Sequence, residues 1–505
     1  MQPARSIRSR SRLALGLLIA WLGAAPAAGE PAPSPPAAPA AAPAAASPAG
    51  PGAPAAASRL ALWVPCEGAL RVLDDPTARI PRLVADARAL GATDLFVQVY
   101  RGGRAWFAST VVESGPHQAA RARTGVDPLA LLLEQAHAAG LRVHAWLNAL
   151  SLSTRRDAAL LAELGPEAVM VDRRGRSVLD YPSLDLPEPD RRWYRMGTPQ
   201  VWLDPAVPAV GQTLAALVGE LVARYPALDG VHLDYIRHPD VLPFIPGSRF
   251  GVGLDFGYGA ASRARFQRET GLEAPFGDAL GNADRWDEWR RERVTEVVLR
   301  IASAARGAKP SIEVSAAVWA YADRSYLSLF QDWRGWLEDG LLDFVVPMAY
   351  TRDDRLLRYV AQAALGGVGG ERVWVGLGSW LFESQPERAR AQLDAMRALG
   401  PAGIALFSYD AIAQAPALRA SLAPGGAPSE GGGAGANAAR GALPAAPSSP
   451  STPAPPSPAS ASAPRSPASA AAPAPASAAP ASDPPRPAQA ASPAPAAQPP
   501  PEPAP

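Results

Sequence analysis

The stretch VHLDYIRHP (Val231 to Pro239) holds the residues best spaced for chemistry. Side chains alternate along an extended strand, so His232 and Asp234 share one face and Val231 and Leu233 the other. The apolar pair suits a helix layer, which turns His232 and Asp234 toward an interior. An unpaired carboxylate there is costly, so Asp234 is read as catalytic or substrate-binding; a structural ion pair with Arg237 is the competing role. RVHAWLNAL (Arg142 to Leu150) repeats the pattern, with His144, Trp146 and Asn148 on one face. Asn148 can hydrogen-bond a ligand hydroxyl or cap the following loop. In DLFVQVYRG (Asp94 to Gly102), Gln98 and Tyr100 are expected to face inward, with Arg101 and Arg104 in the loop beyond. Glu67, Asp323, Tyr350, Tyr409 and Asp410 lie at or just past the ends of other apolar runs, as do Trp63, Trp106, Trp146, Trp319 and Trp380. An aromatic face stacks on the C–H face of a sugar ring while carboxylates and amides take its hydroxyls. The residues expected to hold such a substrate are Trp63, Tyr100, Arg101, Trp146, Asn148, His232, Trp319, Tyr350, Trp380 and Tyr409.

These residues need a scaffold that brings strand ends together. Eight apolar runs alternate with helical patterns: Leu60 to Gly68, Asp94 to Gly102, Arg142 to Leu150, Asp229 to Arg237, Ile312 to Ala320, Leu342 to Tyr350, Arg372 to Trp380 and Gly403 to Ala411. Gly140, Gly340 and Gly400 stand where helices would end. This alternation predicts an α/β fold, a (β/α)8 TIM barrel with loop insertions, whose active site lies at the C-terminal ends of the strands. A doubly wound open sheet would want a Gly-rich phosphate loop after its first strand, and PCEGALR is not one.

Composition bounds the barrel. Of 57 prolines, 11 lie in residues 1–58 and 24 in residues 424–505. Segments so rich in Ala, Pro and Ser bury too little apolar surface to offset the entropy of ordering. The expected organisation is a signal peptide (1–29), an Ala/Pro-rich linker (30–58), the barrel (59–423) and a disordered Pro/Ala/Ser-rich tail (424–505). Arg5, Arg8, Arg10 and Arg12 precede the apolar run Leu13 to Ala25, followed by small residues. That is the pattern of a secretory signal, which implies a periplasmic or secreted protein. A run of about thirteen residues is short for a spanning helix, so no stable membrane insertion is expected unless the signal stays uncleaved.

Other functions are excluded or disfavoured. Residues 59–423 carry 41 basic and 43 acidic side chains with no basic cluster, so nucleic acid is not an expected partner. Cys66 is the single cysteine; it is read as a small apolar residue at a strand end. Five scattered histidines, with no H-x-H, HExxH or cysteine cluster, predict no metal and no cofactor. No G-x-S-x-G elbow offers a serine nucleophile. Nothing in the sequence fixes an oligomeric state.

With its strands placed, the chain resembles the bacterial glycosyl hydrolase-like family 10 barrels. The matching stretches are ALWVPCEG, VWLDPAVPAV (Val201 to Val210), DGVHLDYIRHP (Asp229 to Pro239), QRETG, RWDEWRRERVTEVV, QDWRGWLEDGLLDFVVPMAY and FSYDA. The resemblance implies a TIM-barrel glycosidase acting on a polymeric bacterial envelope glycan; some relatives are linked to peptidoglycan strands stripped of their peptides. Asp234 matches the family's strand-four acidic residue. Tyr235 stands where many members carry a second acid, and Met348 where a polar residue is frequent.

Glycoside hydrolysis ordinarily needs two carboxyl groups, about 5–5.5 Å apart for retention and about 6.5–9.5 Å for inversion. Asp234 is the first. Its partner is sought in Glu67, then Asp410, then Asp323, while substrate-assisted hydrolysis through an N-acetyl group would need one acid only. The alternative is a non-catalytic glycan-binding barrel of the cell envelope; a barrel lyase or isomerase on a small metabolite is a third reading.

Overall fold

The computed structural model describes residues 59–243 and 254–425. The signal peptide, the linker and nearly all of the tail read from the sequence lie outside the described residues. Eight strands form the centre: β1 (Arg59–Val64), β2 (Asp94–Arg101), β3 (Arg142–Asn148), β4 (Gly230–Asp234), β5 (Glu313–Trp319), β6 (Phe344–Met348), β7 (Trp374–Gly378) and β8 (Gly403–Phe407). Each pairs in parallel with the next, and β1 pairs with both β2 and β8, which closes the sheet. The fold is a (β/α)8 TIM barrel, as the alternation of runs predicts. The longer outer helices include α1 (Pro76–Ala89), α2 (Pro128–Ala138), α3 (Pro208–Arg224), α4 (Ala283–Ala308), α5 (Asp354–Leu365) and α6 (Pro386–Arg397). Gly140 and Gly400 take left-handed angles just past α2 and α6.

Alternation sorts each strand into two layers. Val231 and Leu233 of β4 pack against the helices. Ala61, Trp63, Phe96, Trp146, Phe344, Val346, Trp374 and Ala405 fill the barrel itself. Large rings fit only because β7 and β8 are lined with small residues. A Cβ on Gly403 would stand 2.3 Å from the Trp374 ring, and one on Gly376 would stand 3.0 Å from the Trp63 ring. Phe344 and Trp374 stack at 4.6 Å between centroids, nearly parallel.

The N-terminal end of the barrel is closed by charge. Arg59 pairs with Asp94 and Glu313, and His144 Nε2 lies 2.9 Å from Asp94. At the other end two insertions leave the strands. One follows β3, and its strand Tyr194–Met196 pairs antiparallel with Val241–Pro243 beyond β4. The other, after β4, has a small core of its own in Tyr258, Phe266, Trp286 and Trp289.

Gly403→Ala should lower stability by about 1–3 kcal/mol through overpacking against Trp374. Denaturant unfolding of both proteins measures this, and adding Trp374→Phe should recover part of the loss, since neighbouring substitutions couple.

Candidate functional site

The β3–β4 register sets Asn148 opposite Asp234 and Trp146 opposite His232. Asp234 ends β4 at the C-terminal mouth and is 7% exposed. One carboxyl oxygen accepts the Trp146 indole N–H at 3.2 Å, and the other accepts the Tyr235 backbone N–H at 2.7 Å. That second bond depends on a turn: Tyr235 sits at φ +51°, in the left-handed region, which an L residue with a side chain adopts at a cost. Burial pushes the Asp234 carboxyl above its ordinary pKa, while Arg237, the two N–H donors and Arg101 pull it back only in part.

Aromatic rings wall the mouth on one side of this acid. Phe407 stacks on Tyr350 at 5.8 Å, and Trp380 meets both edge-on at 5.4 and 4.9 Å. Phe407 also touches Trp146. Burial, with Asp234 and Tyr235 nearby, raises the Tyr350 phenol well above its usual pKa. Trp380 is 38% exposed, the most open of the three rings. Trp319 ends β5 opposite Met348 and is half-buried under the Arg324 guanidinium. Asn148 accepts a hydrogen bond from Gln98 at 2.9 Å, and its own amide N–H group is buried without a partner. Its alternative role as a loop cap is not taken up.

Several residues read from the sequence as substrate contacts stand elsewhere. Tyr100 does not face the barrel. The β2–β3 register slips between Gln98 and Tyr100, so Val99 is an extra residue, Tyr100 pairs with Leu147 and its ring joins the outer core. The same slip carries Arg101 to the mouth, where it pairs with Glu67 at 2.9 Å. Trp63 lies one layer below the rim, 1% exposed, and donates its N–H to His232 Nε2 at 3.1 Å. His232 is wholly buried, its Nδ1 bonded to Ser315 Oγ and its ring stacked on Phe96 at 4.3 Å. Burial, with His144 nearby, pushes its pKa far down, so it is a neutral core group and not a substrate contact. Tyr409 begins a helix rather than ending a strand; its hydroxyl bonds Asp86 of α1 at 3.0 Å in the helix layer. Trp106 likewise turns outward and donates to Asp74.

Two of the candidate second acids are engaged by other groups, and the third lines a separate cavity. Glu67 is held between Arg101 and Arg104. Asp410 accepts the Leu70 N–H at 3.2 Å and fits against Gly68, where a Cβ would overlap its carboxyl; burial raises its pKa. Asp323 is exposed and lines a different cavity with His238, Arg290 and Phe330. Cys66 is buried with its thiol on Gln98, and burial raises its pKa well above the ordinary value. Among the described residues no group of three or more His, Cys, Asp or Glu side chains could hold a metal, and no helix is long and apolar enough to cross a membrane. Phe407 and Arg237 are the contributors to the mouth that the sequence reading missed or set aside. Phe407 shares its strand face with Gly403 and Ala405, which was the available signal.

A closed parallel barrel with a raised-pKa carboxyl in an aromatic-walled mouth is a glycosidase-like architecture. Residues 78–359 match the family described as Glycosyl hydrolase-like 10, and the chain belongs to it. It is similar to "Glycosyl hydrolase DigH" of Escherichia coli (strain K12), 26% identical over 280 residues, 52% of this chain and 55% of that protein. It is also similar to "Glycosyl hydrolase YngK" of Bacillus subtilis (strain 168), 24% identical over 293 residues, 53% and 48% respectively. The chain spans about half the length of these curated relatives. Among solved structures, a catalytic mutant of Gan42B, a GH42 β-galactosidase from G. stearothermophilus, aligns with TM-score 0.48 and 14% identity over 73% of this chain and 57% of that one.

Trp146→Phe removes a donor that stabilises the charged carboxylate, so the Asp234 pKa should rise further. A hydrogen bond to a charged group contributes about 1.5–3 kcal/mol, or roughly one to two pH units. Carbon NMR titration of labelled aspartate in both proteins reads the shift; an unmoved Asp234 would show that Trp146 does not tune it.

Proposed function

We propose that this protein is an exported glycoside hydrolase cleaving the glycan strands of peptidoglycan, with Asp234 as its proton donor. The observation that carries the reading is Asp234 itself: a buried carboxyl whose raised pKa keeps it protonated above the ordinary carboxylate range, in a mouth walled by Tyr350, Trp380 and Phe407. A general acid for glycosidic oxygen needs that property. Export rests on the arginine-led apolar N-terminus, and the envelope glycan on the family resemblance in DGVHLDYIRHP.

In this reading Asp234 gives its proton to the bridging oxygen as the C1–O bond breaks. Glu67 is engaged by two arginines and Asp410 by the β1–α1 loop, so the substrate's own 2-acetamido oxygen closes on C1 in place of an enzyme carboxylate. Water then adds at C1, opens that ring and returns a proton to Asp234. The same engagement of Glu67 and Asp410 favours the second reading, a barrel that binds glycan without cutting it.

Mass spectrometry of peptide-free and peptide-bearing strands, after incubation with wild type and Asp234→Asn, separates the two. Shorter products from wild type alone, and none from de-N-acetylated strands, are the expected result. Strands retained in a pull-down but uncut by wild type would leave the binding barrel. Cleavage should weaken as pH rises through the Asp234 pKa, because the protonated form is the donor.

A further inference from the structure

Among the described residues Arg237 is a cation without a counter-ion. It is 5% exposed, and its Nε and Nη1 donors are buried with no hydrogen-bond partner. Its guanidinium carbon lies 4.8 Å from the Tyr235 ring centre and 5.4 Å from that of Trp202, so two aromatic rings hold the group and leave these donors unused. Among the described residues it forms no ion pair; even Asp234, three residues before it, acts on it only at a distance. When Asp234 carries the proton it donates, that distant charge disappears as well. A buried, unpaired charge costs several kcal/mol in general, and hydrogen bonds from a guanidinium to a charged acceptor are stronger than those to a neutral one. Asn148 adds a second buried amide N–H group without a partner, directly across from Asp234 in the strand register. An acceptor that carries negative charge would offset the unpaired cation, which a neutral sugar hydroxyl does not.

We infer that Arg237 anchors a subsite for an oxyanion borne on a sugar next to the scissile bond, a carboxylate or a phosphoryl group. The inference rests on the reading of the mouth as a glycan site, and it makes charge on the sugar, rather than sugar stacking alone, the source of selectivity.

Four oligosaccharides of matched length test it by calorimetry: a neutral chitooligosaccharide, its 6-phosphate, a muramic-acid strand with free lactyl carboxylates, and that strand with its carboxylates converted to methylamides. Wild type and Asp234→Asn should bind at least one anionic form tenfold or more tightly than its neutral counterpart. Which anion is preferred names the oxyanion. Arg237→Gln should level the difference, and Arg237→Lys should restore part of it, since it returns the charge without the guanidinium's fixed donors. Thermal melting of each variant establishes that it is folded. Equal affinity of wild type for charged and neutral forms, a preference that survives in folded Arg237→Gln, or no binding of any of the four would overturn the inference. Charge-dependent binding with no cleavage would sink the hydrolase reading and leave this one standing.

Discussion

Inside a closed barrel the inward faces of the strands are shielded from solvent, so a polar group there is costly unless it finds its partner among other inward side chains. His232 shows how this is met. Its Nε2 accepts from Trp63 and its Nδ1 proton goes to Ser315, which fixes one neutral tautomer and ties β1, β4 and β5 together at one level. Stacked on Phe96 and level with Trp146 in the strand register, this group forms a wholly buried layer. Asp234 stands two residues further along β4, on top of that layer. Its raised pKa follows from what lies under it as much as from what surrounds it.

The two ends of the barrel treat a buried carboxyl in opposite ways. Asp94 enters at the N-terminal end and is also desolvated, but His144 and Arg59 bond it directly, so its pKa falls below the ordinary range despite burial. Asp234 at the C-terminal end receives only neutral N–H donors, with its arginines at a distance, and burial prevails. Barrels of this class keep stability at the first end and chemistry at the second, and here the division comes down to how near the positive charge is allowed to come.

Much of this was legible in the residues. A period of two places His232, Asp234, Trp146 and Asn148 inward, and runs alternating with helical patterns foretell the closed sheet. Depth was not legible: Trp63 and Trp146 both lie close to strand ends, yet one plugs the barrel and the other reaches the acid. Nor were ion pairs between loops, so Glu67 read as free when Arg101 and Arg104 hold it. Tyr409 misled because a helix begins where the strand was expected to run on, which turns its ring to the helix layer. Arg237 was set aside as a partner for Asp234, whereas the left-handed turn at Tyr235 leads the chain away so that the two do not meet.

The slip at Val99 has a bearing on how relatives of this chain are compared. Along β2 the inward positions are 94, 96 and 98, all even; the next residue to reach the mouth is Arg101, which is odd. An alignment that scores positions by strict alternation will pair Arg101 with outward residues of a strand lacking the extra residue, and will read a displaced arginine as a lost one. The reliable marker is the interval between the glutamine and the arginine: three here, where an unbroken strand would give two. Counting that interval sorts sequences, from their letters alone, by whether the strand carries the extra residue on the way to its arginine.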